Sequence, residues 1–100
     1  MMMEDKDIYI LFSKVAEHTS HDESVRKIFS TLIKSTLKYR DHMLESRNIV
    51  ITVEDVRAAL DWLVPCLKTG RLPETHEKIR LDLLKLWLDE LKYLWDPNYL

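Results

Sequence analysis

The last stretch of the chain carries six charges of alternating sign, Lys78, Asp82, Lys85, Asp89, Lys92 and Asp96, in steps of 4, 3, 4, 3 and 4 residues. That spacing returns to one side of an α-helix at every step, so opposite charges meet across neighbouring turns. Nearly everything else from Ile79 to Trp95 is large and apolar: Leu81, Leu83, Leu84, Leu86, Trp87, Leu88, Leu91, Tyr93 and Leu94 lie between them. Only Arg80 and Glu90 interrupt. A helix with one narrow wet edge must be covered over most of its circumference. In 100 residues core area is limiting. The pattern therefore predicts that part of the cover comes from another molecule.

One glycine and three prolines leave few turn signals, and no long β-branched alternation appears. The expected class is all-α, with residues 1–100 forming a single helical domain. A net charge of −2 and a pI near 6.1 argue against bulk phosphate binding, while leaving room for a local basic patch. The lone Cys66 cannot form an internal disulfide, and no signal-peptide layout opens the chain. Both point to a reducing, intracellular compartment, cytoplasmic or nuclear. No uncharged apolar segment is long enough to cross a membrane. Met1-Met2-Met3 reads as a disordered start.

The spacing predicts helices over about 5–18, 22–46, 53–68 and 74–95. In the first, Ile8, Leu11, Phe12 and Val15 share a face. Ser20 followed by Glu23 reads as a capping box opening the second. That long helix has two apolar stripes: Val25, Phe29, Leu32, Thr36, Tyr39 and Met43 on one track, Ile33, Leu37 and Leu44 beside it. It must be covered from two sides. Thr52 and Asp55 form a capping box for the third helix, and Ile51 can staple onto Val56. Pro65 should kink or end that helix near Leu63 or Val64. Gly70 is the natural terminator, and Pro73 should stand in the first turn of the fourth helix.

Residues that could carry chemistry are few. His18 and His21 lie near Glu17, Asp22 and Glu23, and His42 lies near Glu45. In a hairpin of the first two helices these groups stand on the order of 30 Å apart, too far to share a metal. Polar residues at helix ends are the plainer reading, and no metal or cofactor is expected. One glycine cannot build a phosphate loop, and no Ser/His/Asp or Cys/His arrangement stands out.

Three stretches resemble known families. Phe29-x-x-Leu32 is similar to a stretch of rubrerythrin-like bundles. Thr36 and Tyr39 stand where that family has its iron-binding Glu and His, so the likeness extends to fold alone. Arg71 and His76 match the loose R-x4–6-H pattern of HEPN-type ribonucleases, although Leu72 and Pro73 depart from it. Ile51-Thr52-Val53-Glu54-Asp55-Val56-Arg57-Ala58-Ala59-Leu60 resembles the start of the third histone-fold helix, [IV]-T-x-x-D-[VI]-x-x-A-[LIK]. The short-long-short order before it agrees. Histones place Arg, Lys and Thr just ahead of the run, and that Arg clamps the Asp. Here Asn48, Ile49 and Val50 stand there, and Arg47 is one residue too early.

The resemblance implies a chain that pairs with another, its long helix crossing that of its partner. The expected function is thus a non-catalytic interaction subunit, a histone-fold-like homo- or heterodimer with DNA association secondary. A dimeric four-helix-bundle scaffold or adaptor is the alternative, and a HEPN-like ribonuclease the third. Expected interface residues are Phe29, Leu32, Thr36, Tyr39, Met43, Leu84, Trp87, Leu91 and Trp95. Expected phosphate contacts are Lys14, Arg26, Lys27, Arg40 and Arg47.

Overall fold

The structure, a computed structural model, describes residues 3–17 and 23–94. It is all-helical: α1 (Asp5–Glu17), α2 (Glu23–Arg47), α3 (Val53–Thr69) and α4 (Lys78–Leu94). Residues 18–22, with the expected Ser20 cap, lie outside the described residues, as do Trp95 and Asp96.

α1 opens with Asp5 and Asp7 in its first turn, where carboxylates favour the helix dipole. The Asp7 carboxylate also accepts the Glu4 backbone N–H at 3.1 Å. Ile8, Leu11 and Phe12 point inward and are buried. Two contacts set the direction of α1 against α2. Asp5 pairs with Arg40, and the rings of Phe12 and Phe29 meet edge-on with centroids 5.9 Å apart. The lower-numbered end of α1 thus lies at the higher-numbered end of α2, an antiparallel hairpin.

The hairpin corrects the reading of the start of the chain. Met3 is 1% exposed, and its carbonyl accepts a hydrogen bond from Arg40 at 3.1 Å. Its side chain belongs to the core.

α2 ends where Asn48 takes φ 53°, a left-handed conformation that asparagine tolerates better than most residues. The Asn48 N–H then reaches the Leu44 carbonyl at 3.1 Å, and the Ile49 N–H reaches that of Met43. Ile51, at 1% exposure, turns into the core with Val56. Thr52 caps α3 through the full box: its hydroxyl accepts from Asp55 N–H, and the Asp55 carboxylate accepts from Thr52 N–H.

α3 continues past Pro65 to Thr69, so the proline does not end it. The carbonyl that loses its donor belongs to Asp61, an exposed residue, where water can replace the missing bond. Gly70, at φ 70°, closes the helix with its N–H on the Cys66 carbonyl at 2.8 Å.

α4 begins at Lys78, later than Pro73 suggests. Arg80 bonds Asp55, so the start of α4 lies beside the start of α3. From Asp55 to Thr69 α3 rises about 21 Å. The connection must recover that length, and nine extended steps reach about 30 Å. A helix starting at 74 would leave only five steps, about 17 Å. The geometry keeps 70–77 extended.

α1 packs beside α2 and α3, and α4 likewise packs beside α2 and α3. The four helices close a ring. Across its diagonal Phe12 meets Trp87 edge-on, with centroids 5.6 Å apart and planes at 83°. Edge-to-face contact suits two ring quadrupoles.

Candidate functional site

Among the described residues, the polar contacts that join the helices gather at three places: the midpoint of α2, the junction where α2 ends and α3 and α4 begin, and the start of α1, where Arg40 is held. At the midpoint, Thr36 is fully buried among apolar side chains. Its hydroxyl donates to the Leu32 carbonyl at 2.7 Å and accepts the Trp87 indole N–H at 2.9 Å. Both polar atoms are thereby satisfied in a dry setting, as burial requires. One residue away Ser35 donates to the Glu90 carboxylate at 3.1 Å. Thr36 stands on an apolar stripe, and its hydroxyl is what lets a tryptophan bury its nitrogen there.

At the junction, Asp55 is saturated. One oxygen accepts from the Thr52 N–H at 3.1 Å and the Thr52 hydroxyl at 3.0 Å; the other accepts from Arg80 Nε at 3.0 Å. Burial raises the pKa of such a carboxyl, but these donors outweigh it and hold Asp55 below its ordinary value. Arg80, held protonated chiefly by its bond to Asp55, also pairs with Glu77 at 3.2 Å. Nearby, the Tyr39 hydroxyl is buried with no hydrogen-bond partner among the described residues. Burial, and then the Asp82 charge, push its pKa upward, so it stays a neutral donor. The Asp55–Arg80 pair ties the start of α3 to the start of α4. The arginine paired with Asp55 thus comes from α4, as Arg80, and joins the Thr52 cap on the same carboxylate.

Arg80 and Glu90, the two charges that break the apolar face of α4, both bond across to other helices. Their signal in the sequence was their position off the ladder. The ladder itself is the outer edge: Lys78, Lys85, Asp89 and Lys92 are exposed. Asp89 and Lys92 approach to 3.6 Å with both side chains 74% exposed, a contact that contributes little.

The expected interface residues fall inside this one chain. Leu32, Thr36, Met43, Leu84, Trp87 and Leu91 are all buried, and Phe29 and Tyr39 pack half-buried against the same core. Trp95 lies outside the described residues. The cover that α4 requires is supplied by α2 and α3 of its own chain, which corrects the inference that another molecule must supply it. A four-helix ring gives a helix two neighbours and a central diagonal, enough to leave only one edge wet.

Among the expected phosphate contacts, Arg40 is also corrected. It is 9% exposed and bonds Asp5 at 2.7 Å, Asp41 at 3.0 Å and the Met3 carbonyl. Burial disfavours its charge, but the two carboxylates outweigh that and raise its pKa. It latches the start of the chain to α2. Lys14, Arg26, Lys27 and Arg47 are exposed. Arg47 stands about 30 Å along α2 from Lys27, so these cations do not form one patch.

Among the described residues no cluster of three His, Cys, Asp or Glu side chains could hold a metal ion. His18 and His21 lie outside them; the His42 ring nitrogen is 3.3 Å from the Ser46 hydroxyl. Arg71 and His76 are both exposed on the extended connection between α3 and α4. Among the described residues no helix is long and apolar enough to cross a membrane. The chain matches no protein-family model, no curated protein and no solved structure.

Proposed function

We propose that the protein is a non-catalytic helical interaction subunit, a four-helix adaptor that works as a dimer. The observation that carries the four-helix form of this reading is the occupancy of the α2 midpoint, where Ser35 and Thr36 both bond α4 of the same chain. The chain's strongest polar groups are taken up in holding its helices together. What remains for other molecules is the outer surface, where Tyr9, Ile10, Val64, Leu67 and Leu72 stand 38–52% exposed. The buried thiol of Cys66 fits a reducing, intracellular setting.

The same observation weighs between the two forms of dimer. In a histone-like pair the partner's long helix crosses this midpoint. Here Trp87 fills it, which favours the bundle form, while the capped start of α3 is what still supports the histone-like one. Sedimentation equilibrium from low to high micromolar concentration tests the dimer, together with unfolding at several dilutions. Stability of an obligate dimer falls on dilution; a monomer with concentration-independent unfolding would refute the reading. Binding of duplex DNA at about 0.15 M salt would add a nucleic-acid role through Lys14, Arg26, Lys27 or Arg47. Without it, assembly alone remains.

A further inference from the structure

We infer that a second copy of this chain docks along the outward face of α2, antiparallel, with Leu37 on the two-fold axis. The inference rests on the dimer reading above and assigns its interface. At about 100° per residue, Lys27, Lys34, Leu37, Asp41 and Glu45 fall within about 80° of one another, on the side of α2 away from Thr36. The four charged residues are exposed, and Leu37 is half-buried against the core.

The order of charge along this stripe is positive, positive, apolar, negative, negative. An antiparallel copy presents the reverse order, so each charge meets its opposite. From Leu37, Lys34 lies about 4.5 Å toward one end and Asp41 about 6 Å toward the other; Lys27 and Glu45 lie about 15 Å and 12 Å away. These offsets match to within the reach of a lysine side chain. The result is an isologous contact, in which residue i meets j and j meets i.

Three further observations agree. Lys27, Lys34 and Glu45 form no ion pair within the chain among the described residues. Asp41 is held in place by Arg40 through one carboxylate oxygen, and its side chain is 57% exposed. Finally, the stripe runs against the helix dipole, with cations early and anions late. Of the four, Glu45 stands in the last turn of α2, where the dipole disfavours an anion, and a cation from an antiparallel neighbour offsets that. Tyr9, 51% exposed on adjacent α1 and about level with Lys34, adds apolar area beside the stripe.

The test is charge reversal read by sedimentation equilibrium. Lys34→Glu or Asp41→Lys alone places two like-charge contacts across the axis and should weaken self-association about tenfold or more. The double variant restores opposite charges and should return to within about threefold of the native protein. Because Asp41→Lys also disturbs Arg40, Lys27→Glu with Glu45→Lys serves as a second pair, and helicity is checked for each variant. Lys85→Glu, on the outer edge of α4, should change nothing. A dimer indifferent to the single reversals, or doubles as weak as the singles, overturns this interface and leaves the dimer standing. A native chain that stays monomeric overturns both.

Discussion

Replacing Thr36 by valine removes one hydroxyl at the centre of the bundle and almost nothing else. Valine keeps the shape, so no cavity opens. The Leu32 carbonyl keeps its helical backbone donor. The loss falls on Trp87, fully buried, whose indole N–H now meets a methyl group where it had an oxygen at 2.9 Å. An orphaned buried donor costs about 1–3 kcal/mol. In a domain of this size that lowers Tm by about 4–8 °C per kcal/mol. Thr36→Ser is the complement: it keeps the bond and loses one methyl, about 0.8 kcal/mol. The assay is urea unfolding at fixed protein concentration for Thr36→Val, Trp87→Phe and the double variant. Phenylalanine has no N–H to orphan, so the valine cost should shrink toward zero in that background. If Thr36→Val costs nothing, or costs as much in the Trp87→Phe background as in the native one, the hydrogen bond is not what holds α2 to α4.

Other outcomes follow from the polar groups. Tyr39→Phe removes a buried hydroxyl with no partner among the described residues, so it should be neutral or raise stability by up to about 1 kcal/mol, read from the denaturation midpoint. Asp55 is held below its ordinary carboxyl value of 3.8. A depressed carboxyl stabilises the fold above that value and loses its contribution as pH falls through the folded-state pKa. Acid unfolding of Asp55→Asn should therefore be shallower below about pH 4 than that of the native chain, even though the variant is less stable at neutral pH. Gly70→Ala should cost about 1 kcal/mol by thermal unfolding. An added Cβ there meets nothing within 4 Å, so the whole cost is the left-handed backbone at φ 70°.

Local features were legible in the sequence. The helical class and the box at Thr52 and Asp55 depend on neighbours a few residues apart, and so does the stop at Gly70. The charges of α4 likewise marked its wet edge, since helical periodicity alone places Lys78, Lys85, Asp89 and Lys92 together. Even here local rules had limits. Pro65 did not end α3, because the carbonyl it deprives faces water, and Pro73 did not open α4, because the chain had first to return along α3.

The sequence by itself determined that α4 needs cover on every side but one. Only the tertiary structure decided where the cover comes from. Thr36 and Trp87 are 51 residues apart, Ser35 and Glu90 are 55, and Asp55 and Arg80 are 25. Hydrophobic pattern says that a face is buried, but burial is non-directional and does not name the surface that buries it. Choosing between α2 of the same chain and α2 of another takes directional contacts. Here they are an indole on a threonine, a serine on a glutamate, and an arginine on a capping aspartate.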